Sequence, residues 1–158
     1  MERVASALPG ARVLDLFAGT GALGLEAMSR GAQSCDFVEN GRSAVHALKA
    51  NVAALRVRGR VRIFDRDVIP FVERLEPDSY DVAFADPPYH SRKLDRVLER
   101  WFSHPFSRLL VVEHAPDHAM PAGGRTHQTE DSAITLFDER NVAHMSRQVP
   151  EVPEEPKP

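Results

Sequence analysis

The sequence predicts an α/β fold: a mostly parallel sheet of seven strands, with helices on both faces and an antiparallel hairpin at its C-terminal end. Three observations predict it. Five short apolar runs alternate with stretches of helical periodicity, the pattern of strands joined by crossover helices. A glycine-rich break follows the first run directly. Two further strand-like runs near the C-terminal end are joined by a turn, with no helix between them.

The first strand is Val13 to Phe17 (VLDLF), which breaks at Ala18-Gly19-Thr20-Gly21. A helical pattern follows, with Leu23, Ala27 and Met28 on one face. Glycine lets a backbone approach a ligand closely, and the free N–H groups of a first helical turn point at it. Ser34 to Glu39 (SCDFVE) reads as the second strand. Arg42 to Leu55 reads as a helix that buries Val45, Leu48, Val52 and Leu55. Val61 to Phe64 is a third strand, followed by a short helix over Ile69 to Leu75. Tyr80 to Ala85 (YDVAFA) is a fourth strand and runs into Asp86-Pro87-Pro88-Tyr89.

Ser91 to Trp101 is amphipathic: Leu94, Val97, Leu98 and Trp101 fall at i, i+3, i+4 and i+7, opposite Arg92, Arg96 and Arg100. Leu109 to Glu113 (LLVVE) is a fifth strand, apolar enough for burial on both sides. Gly123 to Glu139 holds the hairpin, with RTHQTE, a turn near Asp131-Ser132, and AITLFDE. Residues 1–148 are expected to form one domain, and the proline-rich acidic stretch 149–158 a disordered tail.

At 158 residues and 42% apolar content, one domain with a real core is expected. A net charge of −3 argues against coating nucleic acid by charge alone. The acidic excess lies in the last third, which leaves the front free to meet a polyanion. A single cysteine, Cys35, excludes an intramolecular disulfide and a cysteine zinc cluster. It lies inside a strand and reads as a small core residue. No signal-peptide pattern and no membrane-length apolar run is visible, so a cytoplasmic protein without a membrane partner is expected.

Gly19-Thr20-Gly21-Ala22-Leu23-Gly24 matches G-x-G-x-x-G, and Glu39 stands 20 residues after Gly19. The pair places a nucleoside at the ends of the first two strands, with Glu39 accepting from ribose hydroxyls. The same pattern serves nicotinamide dinucleotides, so a dehydrogenase is one alternative, and a purely structural turn with a surface glutamate is another. Asp15 weighs against a dinucleotide, because a buried carboxylate needs a partner and would repel a pyrophosphate. A ligand with an ammonium group and no phosphate, such as S-adenosylmethionine, supplies that partner; local backbone N–H groups could also satisfy it. Asp67, after the third strand, either accepts from an adenine amino group or caps the following helix.

Asp86-Pro87-Pro88-Tyr89 is the most specific signal. An exocyclic amine on a base is a poor nucleophile, since its lone pair is delocalised into the ring. The Asp86 carboxylate and a carbonyl of the Pro87-Pro88 segment can accept its two hydrogens and aim the lone pair at a methyl sulfonium. The prolines fix the backbone that carries these acceptors. Tyr89 offers a ring for the base to stack on. The alternative is a Pro-Pro turn closing a strand beside a bystander acid.

Arg92, Lys93, Arg96 and Arg100 either hold phosphates or form a solvated helix face, and the run Arg56, Arg58, Arg60, Arg62 reads the same two ways. His114 and His118 are spaced as a helical metal pair, but Pro116 between them breaks such a helix, so no metal site is expected.

Residues 11–32, VEN at 38–40, Asp67, DPPY at 86–89, LVVE at 110–113 and EDSAITLFD at 130–138 resemble the bacterial 16S rRNA guanine-N2 methyltransferases of the RsmD type. The resemblance covers roughly residues 1–140. It implies a Rossmann-like class I methyltransferase fold, S-adenosylmethionine as methyl donor, and RNA as partner, in 16S rRNA or a small-subunit assembly particle. It places Asp15, Phe17, Ala18, Gly19, Gly21, Glu39, Asn40 and Asp67 at the cofactor and Asp86, Pro87, Pro88 and Tyr89 at the base. Members usually begin with a basic hairpin and a TRPT-type segment; here only Met1 to Leu8 resembles the end of that region. Gly41 stands where many relatives carry Asp or Asn.

The expected function is therefore methylation of an RNA base, a guanine N2 in 16S rRNA, by a protein acting as a monomer. The alternatives are an adenine-N6 methylase of DNA or RNA, and a truncated cofactor-binding relative inactive without a partner.

Overall fold

The computed structural model describes residues 1–146, so the expected end of the domain at 148 and the tail 149–158 lie outside the described residues. A 3₁₀ segment, Glu2–Ala7, precedes β1 (Arg12–Leu16), α1 (Ala22–Ser29) and β2 (Ser34–Glu39). Then come α2 (Arg42–Ala54), β3 (Val61–Asp65), α3 (Val68–Glu73) and β4 (Tyr80–Ala85). After them follow α4 (Lys93–Ser103), β5 (Ser107–His114), β6 (Arg125–Gln128), β7 (Ala133–Asp138) and α5 (Glu139–Ser146).

The seven strands form one sheet in the order β3-β2-β1-β4-β5-β7-β6. The pairings from β3 through β5 are parallel, while β7 runs antiparallel to both β5 and β6. The chain winds outward from β1 in one direction to β3, then returns to place β4 on the other side of β1. Crevices for ligands open at the carboxyl ends of strands flanking such a reversal.

Alternation along the strands sorts the core into two layers. Val13, Val82, Phe84 and Leu109 join Leu25, Met28, Leu48 and Val52 of α1 and α2 on one face. Leu14, Leu16, Ala83, Leu110 and Val112 join Val68, Val72, Leu94, Leu98 and Trp101 of α3 and α4 on the other. The α4 periodicity is realised as predicted from the sequence, with Leu94, Val97, Leu98 and Trp101 buried, though the helix starts at Lys93 and runs on to Ser103. Among the described residues no helix is long and apolar enough to cross a membrane.

Three differences from the sequence reading have clear causes. Phe17 is not in β1, because its φ of 55° begins the bend. Leu55 falls outside α2 and is exposed, next to Arg56 at positive φ. The helix α5 carries no strong apolar stripe and was not predicted; it packs against β5 and β7.

Candidate active site

The bend after β1 is built on left-handed backbone. Gly19 has φ +57° and Gly21, the residue before α1, has φ +88°, a region that side chains disfavour. Gly24 serves packing instead. A Cβ there would lie 2.4 Å from Phe37 and 2.7 Å from Cys35, so its absence lets α1 sit directly on β2.

Asp15 lies within β1 on the α1 side and is 1% exposed. Its Oδ2 accepts from the Gly24 N–H at 2.9 Å, the local satisfaction that the sequence left open. Among the described residues no cationic side chain reaches it. Burial pushes its carboxyl up to about 8, and the nearby Asp86 and Glu39 add to the rise against the Gly24 bond. The site thus holds a carboxylate whose ionisation is disfavoured by burial and by two like charges.

Glu39 ends β2. Its Oε1 accepts from Gly19 N–H at 2.8 Å, and its Oε2 accepts from Asn40 N–H at 2.9 Å and Gly41 N–H at 2.8 Å. This carboxylate ties the bend to the start of α2 while still lining the cleft. Carboxylate oxygens have further lone pairs, so ribose hydroxyls can be accepted as well.

Phe17, Glu39, Asn40, Asp86, Pro87, Pro88 and Tyr89 together line one cavity of about 480 Å³. Residues singled out at the cofactor and at the base therefore share one space. Ser91 and Lys93 complete the wall. Asp15, Ala18, Gly19 and Gly21 do not line this cavity; they form the bend and its support. Burial pushes the Asp86 carboxyl up to about 6, with Glu113 contributing. Tyr89 is 44% exposed, and its hydroxyl reaches the Asp131 carbonyl at 3.4 Å, across to the hairpin turn.

Asp67 stands apart. It caps α3 through the Ile69 N–H at 3.1 Å and pairs with Lys93 at 3.3 Å, and it lines a neighbouring cavity with Arg66 and Phe71. The capping bond and Lys93 hold its carboxyl below the usual range. The cap is realised; an adenine amine would have to share this carboxylate with Lys93. Lys93 is the residue here whose role neither sequence reading, phosphate contact or solvated helix face, anticipates: it pairs with Asp67 while lining the cleft.

Of the other basic candidates, Arg62, Arg96 and Arg100 are engaged within the fold. Arg96 pairs with Glu73, and Arg100 donates to the carbonyls of Val72 and Leu75. Arg62 binds Asp36 through two hydrogen bonds, which Tyr80 Oη joins at 2.7 Å. His114 is buried, its Nε2 at 2.7 Å from Thr135 Oγ1 and its Nδ1 at 2.9 Å from the Ala115 carbonyl.

A parallel sheet with its reversal beside β1, a glycine bend there and an antiparallel β7 inserted before the edge strand defines the Rossmann-like S-adenosylmethionine-dependent methyltransferase fold. An S-adenosylmethionine-dependent methyltransferase from Agrobacterium tumefaciens, 17% identical, shares it at a TM-score of 0.64 over 87% of this chain and 60% of that one. The chain belongs to the family described as Conserved hypothetical protein 95, which matches residues 2–132. It is 35% identical to YlbH of Bacillus subtilis over 117 residues, 71% of this chain and 64% of that protein. It is 29% identical to ribosomal RNA small subunit methyltransferase D of Escherichia coli over 123 residues, 75% of this chain and 60% of that protein. The chain thus spans less than two thirds of the length of these relatives. The solved structure of yhhF from Escherichia coli superposes with a TM-score of 0.75 at 28% identity, over 87% of this chain and 80% of that one.

Proposed function

We propose that residues 1–148 form an S-adenosylmethionine-dependent RNA N-methyltransferase domain whose acceptor is a guanine N2 of small-subunit ribosomal RNA, naked or in an assembly particle. The observation that carries this reading is the shared cavity. Asp86, Pro87, Pro88 and Tyr89 face the same space as Phe17 and Glu39. The name of the Escherichia coli relative supports the RNA class, and such an acceptor would place the protein in the cytoplasm.

The cleft fits the donor on charge. Asp15, Glu39 and Asp86 bring three carboxyl groups together, and among the described residues no cationic side chain pairs with Asp15 or Asp86, an arrangement that favours a bound cation and disfavours a pyrophosphate. This weighs against the dehydrogenase alternative. Glu39 and the bend would hold the ribose, and a bound cation would draw Asp15, behind the bend, toward its ionised form. When bound, S-adenosylmethionine supplies an electrophilic methyl group on a sulfonium. The chain's own residues then position the acceptor. Asp86 and the Pro87 carbonyl accept the amine hydrogens, Tyr89 stacks on the ring, and Asp86 receives the proton that the methylated amine sheds.

Labelled methyl transfer to small-subunit rRNA and to duplex DNA, followed by nucleoside analysis, tests this. N2-methylguanosine from rRNA is expected. Asp86→Asn should lower transfer by at least about a hundredfold, the scale of lost acid–base and positioning catalysis, with S-adenosylhomocysteine binding within a few-fold. N6-methyladenosine as the product would replace guanine by adenine, and equal transfer by both proteins would sink the mechanism.

A further inference from the structure

We infer that Glu113 selects guanine over other bases by accepting the ring N1–H beside the amine held at Asp86. The inference rests on the function proposed above and adds a residue and a reason for the choice of base.

Register places Glu113 there. Ala85 of β4 pairs with Val112 of β5, so the next residues along the two strands, Asp86 and Glu113, stand side by side at the carboxyl edge of the sheet. Neighbouring strands lie about 4.8 Å apart. Two carboxylates at that spacing can each meet one of two adjacent N–H groups on a flat ring. They sense each other, since Glu113 contributes to the raised Asp86 carboxyl. Among the described residues neither side chain has a hydrogen-bond or ion-pair partner, although other acids of the sheet, Asp36 and Asp138, are paired with arginine.

The surroundings supply a second, independent observation. Glu113 lines a cavity of about 200 Å³ to which the sheet brings Phe84, Ala85, Val111, Ile134 and Leu136 and the 3₁₀ segment brings Glu2 and Arg3, so it is the acid on an otherwise apolar sheet surface. An acid in such a wall, making no hydrogen bond or ion pair among the described residues even with Arg3 in the same cavity, suits a neutral donor brought by the ligand.

Base chemistry makes the choice. Guanine presents N1–H next to its N2 amine, so both carboxylates find donors. Adenine and cytosine present a ring acceptor beside their amine, and that lone pair would face the Glu113 carboxylate. A site built to hydrogen-bond a donor rejects the analogue that lacks it far more strongly than an apolar pocket rejects a size change.

The test uses a pair of short synthetic RNAs spanning the guanine that the wild type methylates in small-subunit rRNA. One carries guanosine at that position. The other carries 2-aminopurine riboside, which keeps the exocyclic amine and replaces N1–H by an acceptor. The wild type should methylate the guanosine RNA at least about a hundredfold faster, the scale set by one fully formed base-edge contact. Glu113→Gln can turn its amide N–H toward a ring acceptor, so its preference should fall to about tenfold or less, through faster methylation of the 2-aminopurine RNA. Its S-adenosylhomocysteine affinity and melting temperature should match the wild type. A merely structural role would not raise the rate on the analogue.

Equal wild-type rates on the two RNAs would overturn the inference with no variant needed. So would a folded Glu113→Gln that keeps the full preference, or one that loses cofactor binding in parallel with transfer. If the wild type methylates no guanine in rRNA, the function proposed above falls first and this inference with it.

Discussion

Asp15→Asn should make the free protein more stable while weakening its hold on S-adenosylmethionine. The side chain is 1% exposed, and its carboxyl is pushed up to about 8 by burial, then by Asp86 and Glu39. Between the ordinary carboxyl range and that value the folded state keeps a proton that the unfolded chain releases. Stability from this group is therefore fully present at low pH and is lost as pH rises through about 8. Each pH unit in the window costs up to about 1.4 kcal/mol, so the total at pH 8 is about 2–5 kcal/mol. Asparagine keeps an oxygen for the Gly24 N–H and carries no charge, so it escapes the loss. The two proteins should have similar unfolding free energies near pH 4 and diverge steadily toward pH 8, measured by urea melts of the free proteins. Calorimetry with S-adenosylmethionine at pH 8 should show about a tenfold to hundredfold weaker Kd for the variant, the worth of a charge-assisted contact. A stability difference that stays constant across pH 5–8 would refute the reasoning, because the buried charge would then not be its source.

Further predictions concern the same cleft. Asp86 must be ionised to accept from an amine, so kcat at saturating donor should climb from pH 5 to 7, with an inflection near or below 6 as a bound cation favours the carboxylate. Gly24→Ala should lower stability by about 1–3 kcal/mol, because Phe37 and Cys35 are both buried and cannot make room; a thermal melt reads it directly. Glu39→Gln keeps one acceptor oxygen where the carboxylate serves three N–H groups with two. It should raise the Kd for S-adenosylhomocysteine by at least about tenfold and cost about 1–3 kcal/mol in stability.

The sheet was legible because its signals are local. Each strand is a short apolar run bounded by a break, and β2 and β4 fall where the pattern puts them. Asp86 to Tyr89 and the glycine bend could be found because fixed neighbours along the chain carry their chemistry. What escaped depends on contacts between distant segments. Lys93 reaches Asp67 across 26 residues, and Glu39 reaches Gly19 across 20. The Arg56 to Arg62 run promised a basic surface, yet Arg62 closes on Asp36 of the adjacent strand, a pairing fixed by register. Glu113 did leave a trace: β4 and β5 both run as apolar segments into an acid, YDVAFAD and LLVVE. Only the pairing of those strands reveals that the two acids are neighbours.

Glu39, Asp15 and Glu113 belong to β2, β1 and β5, and Asp86 directly follows β4, so the ladders that hold the sheet together also set their separation. Backbone amides inside these central strands exchange with solvent when the strands part, which ties the durability of the binding geometry to that of the whole domain. The segments leaving the edge, at 89–92 and 115–124, carry no such burden. They are the places where contacts to a different acceptor could be built without moving a single carboxylate.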